Sequence, residues 1–256
     1  MWTRALLKQN AKMAFRRNYW MCVAVSFVTL ILMGGFSVGS SNTLTVAEES
    51  ESFDYSVEAL MEFLNQVPPY FWTIFLAALV VGLVVGIGVS ILFTNLVQVG
   101  CNRYFLENRE HKTNFGQLFY SFQDGRYGAT VWVMFLRTLY IFGWSLLFLI
   151  PGIVKSYSYM LVPYIMAENP TLEPKRVFQL SREMMNGHKM EAFVLQWSFF
   201  GWILLSVFTT GILNILYVNP YMQATYAEFY SAVKAEARMK GIVQTGELPT
   251  MLVPEE

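Results

Sequence analysis

Long runs of apolar residues constrain this chain more than any other feature of its sequence. A helix needs about 20 mainly apolar residues to cross a bilayer, so most of these runs can each form one spanning helix. The last run is too long for one crossing at a rise of about 1.5 Å per residue, and we divide it into two helices hinged near Gly211. The runs cover residues 20–39, 71–94, 129–150, 153–167 and 192–230. We therefore predict an all-α polytopic membrane protein with six transmembrane helices in three hairpins.

The composition argues against a water-soluble monomer. Hydrophobic residues make up 55% of the chain and charged residues only 14%, whereas a soluble domain is about 25% charged. The formal net charge is zero, so no overall field attracts nucleic acid, and we expect no nucleic-acid partner. We treat residues 1–256 as a single membrane domain.

Lysine and arginine are unevenly distributed along the chain, and this distribution predicts its orientation, because cytoplasmic loops are rich in both residues. The N-terminal segment, the loops after the second and fourth predicted spans, and the tail are all basic. The loop 40–69 has no lysine or arginine and carries six acidic residues. We therefore expect both termini to be cytoplasmic and the loop 40–69 to be external.

The sequence also contains an internal repeat. Asp124-Gly125-Arg126 aligns with Asn186-Gly187-His188 at a period of 62 residues, and Phe142-Gly143-Trp144 matches Phe200-Gly201-Trp202. A fainter first copy carries the long acidic loop. The copies cover about residues 1–104, 105–169 and 170–232, followed by a cytoplasmic tail at 233–256.

A short amphipathic helix is predicted before each hairpin. Apolar residues recur there at the spacing of one helical face. In the second copy they are Phe115, Leu118, Phe119 and Phe122, and in the third they are Val177, Leu180 and Met184. Such helices either lie in the inner membrane interface or pack on the cytoplasmic end of the bundle, and the sequence leaves both open.

Several strings resemble one bacterial family of integral membrane proteins, known only as domain of unknown function 975. They are LIPGIVKSYSYMLVPYIMAENP from Leu149, LSREMMNGHK from Leu180 and NPYMQATYAEFY from Asn219. The resemblance covers about residues 95–230 and leaves the loop 40–69 unmatched. It implies a multi-pass protein of the bacterial cytoplasmic membrane and supplies no catalytic residues.

The layout is also similar, more distantly, to the membrane domain that accompanies some glycerophosphodiester phosphodiesterases. We expect no attached hydrolase domain here, so we do not carry that activity over to this sequence.

The polar residues predicted at membrane depth form a candidate cluster. A central arginine costs at least about 2.5 kcal/mol to insert, so Arg137 should have a partner inside the bundle. Glu228 is the one carboxylate well within a predicted span, and nearby amides could add hydrogen bonds. We expect Arg137 to meet Glu228 or these amides, as a buried structural pair or as a site for an ion or head group. The amides are Asn95, Gln98 and Gln196.

The second predicted span carries a stripe of small residues at every fourth position. Small side chains let another helix approach closely, and we favour a contact within the chain over a dimer face. The stripe consists of Ala78, Gly82, Gly86 and Ser90.

Prolines and a glycine predict kinks in the later spans. They are Pro151, Gly152, Pro163 and Pro220. Pro163 and Pro220 would each free the carbonyl four residues earlier, which belongs to Tyr159 and Leu216 respectively. Freed carbonyls can bind ions in transporters, but neighbouring groups commonly satisfy them.

The sequence has no pattern typical of a nucleophile elbow, a zinc protease, a P-loop or a dinucleotide site. We therefore expect no cofactor or metal and a non-enzymatic membrane component. Its expected partners are membrane lipids, including anionic head groups at the cytoplasmic face, or an unknown membrane protein. The alternatives are a small transporter or channel, and an intramembrane enzyme acting on lipid.

The predicted orientation can be tested by cysteine labelling in a variant that lacks Cys22 and Cys101. A cysteine at Ser50 should react with a membrane-impermeant thiol reagent on intact cells, because the acidic loop is external. A cysteine at Asn186 should react only after the cells are opened. The reverse pattern would contradict the predicted orientation and the repeat scheme.

Overall fold

A computed structural model describes residues 2–32, 68–122 and 125–249 of the chain. All regular structure in these ranges is helical, which confirms the predicted all-α class. Most of the predicted external loop 40–69 lies outside the described residues.

Ten α-helices are described. Their bounds are α1 Arg4–Arg17, α2 Tyr19–Leu32, α3 Pro69–Asn108, α4 Arg126–Leu147, α5 Leu149–Ser158, α6 Val162–Glu168, α7 Pro174–Met184, α8 Lys189–Trp197, α9 Phe200–Phe208 and α10 Asn219–Met239. A 3-10 helix, Phe115–Phe122, precedes α4, and a π-helical turn, Asn214–Val218, precedes α10.

The chain divides into two compact units. The larger unit contains Met1–Met33 and Ile91–Glu256, and it holds the hydrophobic core described below. The smaller unit is Gly34–Ser90, of which the structure describes the first part of α3.

The amphipathic helices bury their apolar faces against protein. The third-copy residues Val177, Leu180 and Met184 are all buried on α7. In α1 the buried residues again share one face, and they are Leu7, Ala11, Ala14 and Phe15. The second-copy helix has 3-10 geometry, with Leu118 fully buried and Phe119 exposed. For α1 and α7 the structure therefore favours packing on the bundle over a lipid-facing apolar side.

The predicted kink at Pro151 and Gly152 is not where the chain bends between α4 and α5. The chain turns earlier, at Phe148, whose backbone is extended. Pro151 is accommodated in the first turn of α5, where its missing N–H would have no helical partner in any case. Gly152 lets the two helices approach, because a Cβ atom there would lie 2.8 Å from the Cα of Ser145.

The long apolar run 192–230 is divided where the sequence indicated. Gly211 has φ +82° and Thr210 has φ +53°, so the chain reverses in a left-handed turn between α9 and the π-helical turn. Glycine adopts this conformation without the steric cost that a Cβ atom brings.

Two helical stretches in the described part of the chain are long and apolar enough to cross a membrane, Tyr127–Leu147 and Lys189–Phe208. Shorter apolar helices cover Tyr19–Leu32 and Tyr70–Gly82. The six predicted spans are not confirmed, since α5 has 10 residues and α6 only 7.

Residues 233–249, which the sequence assigned to a tail, belong to the packed unit. The Arg176 guanidinium on α7 donates from Nε to Oε1 of Glu247 at 2.7 Å and from an Nη atom to Oε2 at 3.0 Å. This bond lowers the pKa of the Glu247 carboxyl. Val243 and Leu248 are buried, so the segment after α10 closes part of the core.

The close approach of α3 to the 3-10 helix gives a test of this packing. A Cβ atom at Gly100 would lie 1.8 Å from the carbonyl oxygen of Leu118, so Gly100→Ala should destabilise the fold by about 1–3 kcal/mol. Gly143→Ala is the matched control, because a Cβ atom at this helical position meets nothing within 4 Å. It should be neutral or stabilising by up to about 1 kcal/mol. Thermal unfolding in detergent measures both, and equal effects would contradict the described contact.

Candidate functional site

Three buried glutamates, one on each of three helices, dominate the polar interior of the larger unit. Glu107 on α3, Glu168 on α6 and Glu228 on α10 are 6%, 8% and 6% exposed. Each carboxylate forms an ion pair, as burial of a charge requires. We call these residues, with their partners Arg103, Lys234 and Arg109, the glutamate cluster.

The most buried pair in the cluster joins α6 to α10. Lys234 Nζ lies 2.6 Å from both carboxylate oxygens of Glu168, and the Tyr230 hydroxyl donates to Oε2 at 3.0 Å. Burial raises the pKa of Glu168 and lowers the pKa of Lys234, while their mutual attraction opposes both shifts. The carboxylate therefore depends on its two donors from α10.

The other two pairs attach α3 to the same helices. Arg109, just after α3, donates to Glu228 from Nε at 2.9 Å and from an Nη atom at 3.2 Å. Arg103 donates from Nε to Glu107 at 2.6 Å and from an Nη atom to the Ala167 carbonyl at 2.9 Å. The cluster thus connects α3, α6 and α10.

Glu107 and Glu168 are each followed by an asparagine whose side chain donates a hydrogen bond to the backbone of another segment. Asn108 donates to the Ala14 carbonyl of α1 at 3.0 Å. Asn169 donates to the Glu247 carbonyl at 2.9 Å. Both amides therefore join peripheral segments to the helices that carry the cluster.

A small cavity of about 170 Å³ opens beside the cluster. Its charged lining consists of Arg109, Glu110, Glu168, Lys234 and Arg238. Pockets for organic ligands usually measure about 300–1,000 Å³, and a water molecule takes about 30 Å³. The cavity therefore fits a few waters or a small ion, and its cations already have carboxylates nearby.

The predicted pair between Arg137 and Glu228 is not formed. Glu228 is paired with Arg109, and Arg137 donates from Nε to the Tyr159 carbonyl at 3.0 Å. Pro163 has no N–H to donate to that carbonyl four residues earlier, and the carbonyl also accepts a bond from the Val162 N–H at 3.4 Å. The arginine is thus satisfied by backbone, and the prediction failed because it considered only side-chain acceptors.

The three predicted amides do not gather around Arg137 either. Gln196 accepts a hydrogen bond from the Tyr157 hydroxyl at 2.6 Å. Asn95 and Gln98 lie half-buried on α3, and neither bonds to Arg137 or Glu228 in the described part of the chain.

The second freed carbonyl also has a protein donor. Pro220 is the second residue of α10, as Pro163 is of α6. The Leu216 carbonyl, four residues before Pro220, accepts a hydrogen bond from the Tyr19 hydroxyl at 3.1 Å. Both carbonyls therefore join neighbouring helices.

The small-residue stripe lies on an exposed part of α3 within the smaller unit. Ala78, Gly82 and Gly86 are exposed, and a Cβ atom built at Gly82 or Gly86 meets no described atom within 4 Å. The expected helix contact is thus not seen among the described residues. The side chain of Ser90 lies outside them.

Sequence reasoning missed most of the glutamate cluster and found only Glu228. A usable signal was present, because the three glutamates recur at close to the 62-residue period, and Glu107 and Glu168 are each followed by asparagine. No group of three or more possible metal ligands occurs among the described residues.

The family model described as "Protein of unknown function (DUF975)" matches residues 5–237. The chain belongs to this family. The match includes the glutamate cluster, both prolines that free carbonyls, and the acidic segment that the sequence resemblance left unmatched. No curated protein and no solved structure matches the chain, and the more distant similarity to the phosphodiesterase membrane domain is not shown.

Because Glu168 and Lys234 form the most buried pair of the cluster, removal of one partner should greatly lower the free energy of unfolding. Lys234→Met leaves Glu168 buried without its cation, and it should cost about 3–5 kcal/mol of unfolding free energy. The combined change with Glu168→Leu should recover much of this loss, because no charge is then left unpaired.

Lys240→Met is the matched control for that experiment. Its partner Glu236 and Lys240 itself are 29% and 55% exposed at the side chain, so the loss should stay below about 1 kcal/mol. Denaturant unfolding in detergent measures all three variants. Similar losses for Lys234→Met and Lys240→Met would show that the buried pair is not special.

Proposed function

We propose that this chain is a multi-pass protein of the bacterial cytoplasmic membrane that acts without catalysis, by binding anionic lipids at its cytoplasmic face. In this proposal six spans form three hairpins, and both termini are cytoplasmic. The observation that carries it is the exposed apolar surface at the ends of the hairpins.

The α4–α5 hairpin projects an apolar end that has no protein cover among the described residues. Leu146, Phe148 and Ile150 are 78%, 72% and 76% exposed. Exposed apolar patches of more than a few hundred Å² are rare on soluble monomers and typical of membrane or protein contacts. The end of α9 repeats this pattern, with Val207 and Phe208 at 70% and 81% exposure.

Charged residues avoid these apolar ends, which supports insertion. Residues 192–227 contain no charge, and Lys155 is the one charge between Arg137 and Glu168. Its ammonium lies 4.8 Å from the ring centroid of Trp144, a cation–π contact that lessens the cost of placing it there. Among the described residues, in contrast, no ion pair involves a residue of α4, α5 or α9.

Lipid binding is favoured because unpaired basic side chains remain on the polar part of the unit. Lys12, Arg16, Lys175 and Arg182 are exposed, and none has a carboxylate within ion-pair distance in the described part of the chain. A basic residue near an anionic leaflet contributes about 1 kcal/mol to binding.

Transport is less well supported by the same contacts. The two carbonyls that could coordinate an ion already accept hydrogen bonds from Arg137 and Tyr19. An ion would have to displace these donors, so the kinks are better explained as joints between helices.

Reconstitution into vesicles tests the proposal. The melting temperature should be higher in phosphatidylcholine vesicles that contain phosphatidylglycerol than in phosphatidylcholine alone, and the protein should resist alkaline extraction. Neutralising Lys12, Arg16, Lys175 and Arg182 together to glutamine should remove the gain. An equal melting temperature in both vesicles, or release at alkaline pH, would refute the proposed function.

A further inference from the structure

A cleft in the larger unit lies between α4 and α7 and has a volume of about 490 Å³. This volume falls in the range of pockets that bind organic ligands. It is lined by an apolar and aromatic floor and by charged side chains at its rim, so it is distinct from the small cavity of the glutamate cluster.

Aromatic rings shape the floor of this cleft. The ring of Phe178 on α7 meets the rings of Tyr140 and Tyr159 edge to face, at centroid distances of 5.1 and 5.3 Å. Leu136 lies one turn before Tyr140 on the same face of α4. Edge-to-face contacts hold ring orientations, so the floor is preformed.

The floor continues into the exposed end of the hairpin. Leu136, Tyr140, Gly143 and Leu147 follow one face of α4, and the last three are exposed. The stripe is about 16 Å long at the helical rise. An extended acyl chain can therefore run from the cleft along α4.

The rim carries two cations and one carboxylate. Lys175 and Arg182 lie on the stripe of α7 that contains Phe178, at i, i+3 and i+7. Both are exposed and lack an ion-pair partner among the described residues, while Glu173 is exposed at the start of α7. The rim thus has an excess of one positive charge beside an apolar floor.

We propose that this cleft binds one anionic phospholipid, with its head group on Lys175 and Arg182 and one acyl chain on the floor and on the stripe of α4. The proposal rests on the proposed function and names the site that carries it. A free phosphate ion would leave the floor empty, and a zwitterionic lipid would gain less from the unpaired cations, because its own ammonium group offsets the charge of its phosphate. An anionic phospholipid matches both parts of the cleft.

Native mass spectrometry of the full chain in detergent, titrated with dioleoylphosphatidylglycerol, tests this site. Wild-type protein should retain one lipid, and Lys175→Gln with Arg182→Gln should weaken its retention by about tenfold or more. Both side chains are exposed, and an unchanged melting temperature without lipid confirms folding. The matched control, Lys12→Gln with Arg16→Gln, removes the same charge from exposed positions on α1 and should change retention less than about twofold.

Two further ligands distinguish the parts of the site. Dioleoylphosphatidylcholine should be retained about tenfold less well, and glycerol 3-phosphate should not displace the bound lipid. Retention of phosphatidylcholine at the same level, or displacement by glycerol 3-phosphate, would overturn the assignment.

The outcomes also separate this site from the proposed function. If both double variants lose the same amount of lipid, the basic surface as a whole binds lipid. The assignment of the lipid to the cleft is then wrong, while the proposed function stands. If wild-type protein retains no phosphatidylglycerol and its melting temperature is also equal in the two vesicle types, both fail.

Discussion

The larger unit depends on keeping three carboxylates paired where water has little access. An unpaired buried charge costs several kcal/mol, so Glu168 is tolerated only if α10 brings Lys234 and Tyr230 to it. Arg109 imposes the same condition on the contact between α3 and α10 through Glu228. Apolar packing permits many helix arrangements, whereas these pairs allow few, and a role in specificity for the cluster follows from that difference.

The requirement that buried polar groups have partners also holds for the backbone next to the prolines. Pro163 and Pro220 each lack the N–H that the carbonyl four residues earlier would accept in an α-helix, and polar groups are costly to bury without enough partners. Arg137 from α4 and Tyr19 from α2 provide the donors. Each break in a helix therefore creates a contact between helices, and the π-helical turn before Pro220 is part of this adjustment.

The distribution of these contacts divides the larger unit into a polar part and an apolar part. Ion pairs and backbone-directed bonds hold the polar part together, and the hairpin ends expose apolar and aromatic side chains. The cleft between α4 and α7 lies where the two parts meet, which is where a molecule with a charged head and an apolar chain is best accommodated. The proposed lipid site follows from this position as much as from its individual residues.

The sequence by itself determined the all-helical class, the family and the turn at Gly211, because apolar run length, specific strings and a required left-handed residue are local properties. It also indicated that the Tyr159 and Leu216 carbonyls would lose their helical donors. Only the tertiary structure decided which side chains replace those donors and where the chain turns before Pro151. It also decided that Glu228 pairs with Arg109 instead of Arg137. These outcomes depend on which helices are neighbours, since a hydrogen bond forms with whatever group packing brings within about 3 Å, and residues such as Arg109 and Glu228 are 119 positions apart in the chain.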